Sequence, residues 1–201
     1  IPCGYVLSRR DLVGRGFMTG FLVFTMYFSG GLIPTYTVVR SLHLTNSRLG
    51  IILLGSVSVY NIILIRSYFR SSLPEELREA AEIDGCSNLD FFFQIALPLA
   101  TPIIAVIAMY IAEGMWNSYF NAMVYLTDID KYPLQNFLRE ILLQGEANTD
   151  LTDPETAAER AYIMQMLKYC VIVLSSLPMM LLYPFIQRFF VTGLMIGSLK
   201  G

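Results

Sequence analysis

Four stretches of this chain run without a charged residue: Gly16 to Val39, Leu49 to Ile65, Phe91 to Ala112 and Tyr169 to Gln187. Their lengths of 24, 17, 22 and 19 residues are close to the roughly 20 residues, at 1.5 Å rise each, that a helix needs to cross hydrocarbon. Lipid offers no hydrogen bonds to a backbone, so such stretches can lie in a bilayer only as helices or closed barrels, and none shows the strict alternation of a barrel strand. Composition agrees, with 55% hydrophobic and 15% charged residues against about 25% charged in an ordinary globular domain. The expected fold is all-α, a polytopic membrane bundle of four spanning helices. Ser56, Ser58 and Asn61 make the second the most polar of the four.

Little here supports chemistry on the chain itself. Cys3, Cys86 and Cys170 are widely spaced and odd in number, which suits packing rather than a disulfide framework or a metal site. His43 is the single histidine and has no cysteine or carboxylate near it in sequence, so neither metal binding nor base catalysis is expected of it. Asp128-Ile129-Asp130 lacks the glycine and glutamate of a calcium loop. No nucleophile–base set, phosphate-binding glycine loop or ATP-binding lysine motif is present, so any ATP and Mg would be bound by another chain. A net charge of −2 and the absence of a basic stripe argue against nucleic acid. The opening Ile1-Pro2-Cys3 lacks methionine and any signal-peptide pattern, and reads as the frayed end of an earlier apolar helix in a truncated chain.

Basic residues set an orientation. If the first span leaves the cytoplasm, the inner side carries Arg9, Arg10, Arg15, Arg66, Arg70, Arg78, Arg188 and Lys200, eight against six outside. The inner ones also cluster at helix ends, where the positive-inside bias acts. The segment 71–98 is then cytoplasmic and the acidic loop 121–160 external. In that loop Leu134, Phe137, Leu138, Ile141 and Leu142 recur at helical spacing, predicting an amphipathic helix.

The cytoplasmic segment predicts two short helices. Ser72 followed by Glu75 has the form of a capping box with Pro74 in the first turn. Leu73, Leu77, Ala80 and Ala81 fall on one face that narrows to small residues, which would let another backbone approach closely. Gly85 suits a left-handed end, and Ser87 with Asp90 a second start running to Leu97-Pro98. An ordinary helix lying on the membrane surface is the plainer reading.

Glu79-Ala80-Ala81, three residues, Gly85, nine more and Ile95-Ala96-Leu97-Pro98 together resemble the EAA loop of ATP-binding-cassette importer permeases. The wider run Leu73 to Gly85 is similar to the carbohydrate branch of those permeases, the maltose- and alginate-type importers. Phe28 to Tyr36, Trp116 to Ala122 and Phe190 to Gly201 resemble its polysaccharide and complex-oligosaccharide subgroup. The resemblance implies an inner-membrane permease subunit with six spanning helices, the last four present here, and a C-terminus that looks native. It implies that Glu79, Ala80, Ala81, Asp84, Gly85, Ile95, Leu97 and Pro98 couple to an ATPase dimer. Further implied partners are a second permease and an extracytoplasmic solute-binding protein, with transport by alternating access.

Within the spans, Gly30, Gly31 and Pro34 predict a kink suited to a gate, although both residue types are common in membrane helices generally. Glu113, Trp116, Asn117 and Asn121 bring a carboxylate, an aromatic ring and two amides to the outer half of one segment, the groups a polyhydroxylated ligand requires. Interface-belt packing is the alternative for Trp116. Tyr60 and Asn61 carry a weaker form of the same signal. A permease for a polyamine or an amino acid would favour more intramembrane carboxylates than Glu113 alone, and an intramembrane enzyme would require a polar cluster that is absent.

Overall fold

The computed structural model describes residues 1–147 and 154–198. Within the loop expected outside, 148–153 with Asp150 and Asp153, and at the end Leu199 to Gly201, lie outside the described residues. All regular structure among the described residues is helical: α1 Pro2–Ser8, α2 Arg15–Tyr27, α3 Leu32–Ser41, α4 Arg48–Ser56, α5 Val59–Ser72, α6 Glu75–Ile83, α7 Asn88–Leu99, α8 Thr101–Trp116, α9 Tyr119–Tyr125, α10 Leu134–Ala147 and α11 Pro154–Ser198. A short 3₁₀ turn covers Ile129–Lys131.

Charge-free length did not guarantee an unbroken helix. Among the described residues only Tyr162–Pro184 within α11 is by itself long and apolar enough to cross a membrane, and four spans result if α2–α3, α4–α5 and α7–α8 each count as one broken span. The first break falls at Phe28–Gly31, where Gly31 takes φ +86°, a conformation open to glycine. Ser58, with extended backbone, lies in the second, in a run of serine and valine that favours helix weakly. The chain bends by 75° between α7 and α8 at Ala100. Just before it, Phe91–Ala96 forms a π turn in which the Leu97 amide reaches back to Phe92. Pro98 has no amide to give and its ring crowds the carbonyl four residues earlier, which favours a wider turn ahead of it.

The chain divides into two compact units, residues 1–32, 56–111 and 186–201 in one and 33–55 with 112–185 in the other. In the first, Tyr5, Ile65, Phe69, Ala81, Phe91, Ala96, Ala100 and Ile103 form a buried core that draws together α1, α5, α6, α7 and α8. Gly4 makes the α1–α5 crossing close: a Cβ there would stand 2.5 Å from the Ile65 Cγ2. Helix α2 buries no residue, and Phe17, Phe21 and Phe24 on it are exposed, as lipid-facing side chains are in a chain without its bilayer.

In the second unit Val39, Ile51, Ala122, Tyr125 and Leu126 form the core. Asn46 ties it shut. Its amide nitrogen reaches the Tyr125 carbonyl at 2.7 Å, its side-chain oxygen accepts from the Thr127 and Asp128 amides, and its side-chain nitrogen donates to Asp128. Lys131 then bridges the Asn46 carbonyl and the Asp128 carboxylate. His43 and Asn46 both take positive φ, 56° and 55°. The His43 and Leu44 amides close the end of α3 on the Arg40 and Val39 carbonyls. His43 is thus a helix-ending residue.

Candidate functional site

The segment read as a coupling loop folds as α6, a left-handed turn and α7, but α6 starts differently from the expected capping box. Ser72 closes α5, Pro74 is the N-cap of α6 and no side chain caps it. Proline disfavours helical backbone in the residue before it, and Leu73 is extended at φ −113° and ψ 100°, so the chain leaves the helix between Ser72 and α6. The far end matches the reading. Gly85 takes φ +81°, its amide donates to Glu82 and that of Cys86 to Ala81, the paired bonds of a glycine-ended helix. Ser87 caps α7, accepting from the Asp90 amide at 3.2 Å.

The small-residue face is also turned from where the spacing put it. Ala81 is only 8% exposed and belongs to the core of its own unit. Ala80 points outward, with Leu77, Glu79, Ile83 and Asp84 also exposed. Ile83 is 87% and Leu89 71% exposed. Two adjacent alanines stand about 100° apart around a helix, so Ala81 can turn into the core while Ala80 stays outside. Of the remaining residues of the motif, Ala96 is wholly buried while Ile95 and Leu97 pack against that core.

A set of ion pairs not foreseen from the sequence holds the loop in place. Arg78 bridges Glu75 at 2.7 Å and Glu82 on the next turn. Arg9, at the end of α1, grips Asp11 and donates to Asn88 at 2.6 Å. Arg10 faces Glu75 at 3.8 Å. Hydrogen bonding to Arg9 holds the Asp11 carboxyl below its ordinary value, and the bond to Glu75 raises Arg78. Arginines read only as topological signals thus also act as clamps, and their clustering was the available hint.

The residues expected along a substrate path separate. Helix α8 ends at Trp116 and α9 starts after Ser118, whose side chain makes no capping bond, so Asn121 stands on a different helix from Glu113 and Trp116. The Asn117 amide still makes the helical bond to the Glu113 carbonyl, and the regular pattern stops at Ser118, whose amide and hydroxyl both turn back to the Met115 carbonyl. Trp116 donates its indole N–H to the Ser175 carbonyl on α11 at 2.8 Å. Glu113 and Asn117 are exposed and Asn121 is half-buried. Tyr60 and Asn61 begin α5, in the other unit. Gly30 and Gly31 lie in the first break, with Pro34 in the opening turn of α3. The three cysteines are free, Cys3 and Cys170 exposed. Among the described residues no three His, Cys, Asp or Glu side chains are grouped to hold a metal.

The family model for the binding-protein-dependent transport system inner membrane component matches residues 1–194. The chain belongs to that family. This permease is 41% identical over 197 residues to Protein LplC of Bacillus subtilis (strain 168), covering 98% of this chain and 66% of that protein. It is 42% identical over 198 residues to the polygalacturonan/rhamnogalacturonan transport system permease protein YtcP of the same organism, covering 98% and 68%. A solved structure, described as a bacterial ABC transporter involved in the import of the acidic polysaccharide alginate, matches the permease with a TM-score of 0.78 and 34% identity, over 94% of this chain and 66% of that one. The chain thus spans about two thirds of the length of these relatives. The family resemblance carried by the EAA spacing and the all-α membrane fold are both borne out.

Proposed function

We propose that this permease is part of the membrane-spanning subunit of an ATP-driven importer for a carbohydrate, an oligosaccharide in particular. In this reading residues 1–201 form one transmembrane permease domain, with 71–98 as its cytoplasmic coupling loop and 121–160 as its external loop. The partners are an ATPase dimer that binds ATP and Mg, a second permease and an extracytoplasmic solute-binding protein. The observation that supports it best is the outward surface of α6 and the turn after it. Ala80 and Ile83 stand exposed there, with Leu89 exposed at the start of α7, and Glu76, Glu79, Glu82 and Asp84 are exposed along the same segment. An apolar centre with a charged rim is the form of a docking surface, and its charge suits a basic groove. The substrate class is supported by similarity to permeases named for polygalacturonan, arabinooligosaccharide and melibiose transport.

Closure of the ATPase would move the α6–α7 loop as a body, because Arg9, Arg10 and the shared core fasten it to α1, α5 and α8. The bend at Ala100 then passes that motion to α8. Alternating access needs such a two-state element coupled to the motor. Ile83→Asp, which places a charge on the exposed centre without touching the core, tests the reading. Co-purification of the full-length protein with its ATPase is expected to fall about tenfold, the effect of losing an anchoring apolar contact worth about 1.4 kcal/mol. Unchanged recovery of the ATPase and unchanged uptake of oligosaccharide would refute it.

A further inference from the structure

We propose that Lys168, with Gln165 and Tyr169, reads a carboxylate on the transported sugar, so that this importer handles acidic oligosaccharides built from uronate units. The inference rests on the proposed carbohydrate function and adds the charge of the substrate. Lys168 is the single charged residue between Tyr162 and Pro184, which among the described residues is the one helical stretch that is spanning-competent by itself. Lys168 borders the charge-free stretch Tyr169 to Gln187, where a long side chain lays its stem along the apolar span and keeps its ammonium on the aqueous side. Among the described residues it has no carboxylate partner.

Lys168 lines a cleft of about 400 Å³ between α10 and α11, walled by Ile141 and Leu142 on one side and by Gln165 and Tyr169 on the other. Gln165 and Lys168 are three residues apart and Gln165 and Tyr169 four, so the three share a face, and Gln165 donates to the Tyr169 hydroxyl at 3.4 Å. A ring for an apolar sugar face, an amide for hydroxyls and a free ammonium for a carboxylate form the set that an acidic sugar requires. Trp116 of the expected path meets the same helix farther along. Ser175, whose carbonyl takes the Trp116 indole, lies seven residues beyond Lys168, two turns along the same face of α11. On the proposed orientation Lys168 is at the outer end, where substrate enters.

The test uses the full-length protein reconstituted with its own ATPase, second permease and binding protein. Uptake of trigalacturonate is compared with uptake of an uncharged trisaccharide. The wild type is expected to take up trigalacturonate. Lys168→Gln should raise the half-saturating concentration of trigalacturonate about tenfold relative to that of the neutral sugar, the usual scale of a lost charge-assisted contact. Lys168→Arg should restore most of the difference, and added salt should weaken trigalacturonate uptake in the wild type more than in Lys168→Gln. Wild-type uptake of the neutral sugar alone, or an equal change for both sugars in Lys168→Gln, would overturn the inference and leave the carbohydrate reading standing. Uptake of neither by an assembled, ATP-hydrolysing complex would overturn both.

Discussion

Asp11 and Arg9 are two residues apart at the end of α1, and the guanidinium meets both carboxylate oxygens, at 2.8 and 2.5 Å. The Asp11 carboxyl is held below its ordinary 3.8 by that contact. A carboxyl with a lower pKa folded than unfolded adds stability above the unfolded value and loses it as the pH falls. With Asp11 about half exposed, the contribution is on the order of 0.2–1 kcal/mol. Thermal stability of the purified full-length protein should therefore show no Asp11-dependent change between pH 5 and 8. Below about pH 4 the wild type should lose the advantage it holds over Asp11→Asn. An Asp11-dependent step near neutral pH would contradict this. The pair was not legible in the sequence, because charges in a loop mark topology and solubility before they mark contacts. Ala81 shows the same limit: its letter says small, and only the packing of α6 on Phe69 and Phe91 says that it faces inward.

At the scale of elements, the turn from α6 to α7 was readable because its signals are chemical and local. Gly85 is required for its φ of +81°, and a Cβ there would meet no atom within 4 Å. Gly85→Ala should thus cost only the backbone strain, about 1–2 kcal/mol, visible as faster proteolysis or cysteine labelling at Cys86 with the rest of the fold intact. If the substitution leaves Cys86 labelling unchanged, the turn does not hold the loop. The breaks in three of the four apolar stretches were harder to see. Gly30 and Gly31 announced the first, but serine and valine at the second weaken a helix without dictating a stop. The π turn lies ahead of Pro98, and a proline announces a disturbed helix without saying whether the helix widens or stops. Asn46 is a further case, since its partners Tyr125, Thr127 and Asp128 lie about 80 residues away and only the folded chain brings them together.

For the whole molecule, the distribution of charge was enough to indicate a helical membrane protein, because charge is what hydrocarbon excludes most strongly. Membership of the permease family followed from a spaced motif whose parts the structure explains as a turn, a cap and a buried contact. The proposed site was legible by segment and not by face: the motif marks the α6–α7 loop, and on that loop Ala80, Ile83 and Leu89 are exposed while Ala81 is buried. The residues expected along a substrate path fall on two helices, because the chain leaves helical geometry between Trp116 and Asn121, which the sequence does not mark with a glycine or proline.

The central claim is that the α6–α7 loop is the part of this permease that meets its ATPase. With Cys3, Cys86 and Cys170 replaced by serine in the full-length protein, a single cysteine at Ile83 should cross-link to the ATPase through a short bifunctional maleimide. A single cysteine at Leu49, exposed in the other unit, should not. Cross-linking from Ile83 alone, with a yield that changes when ATP is added, is the predicted result. Failure at Ile83 in a complex that still co-purifies with its ATPase, or equal cross-linking from Leu49, would contradict the account.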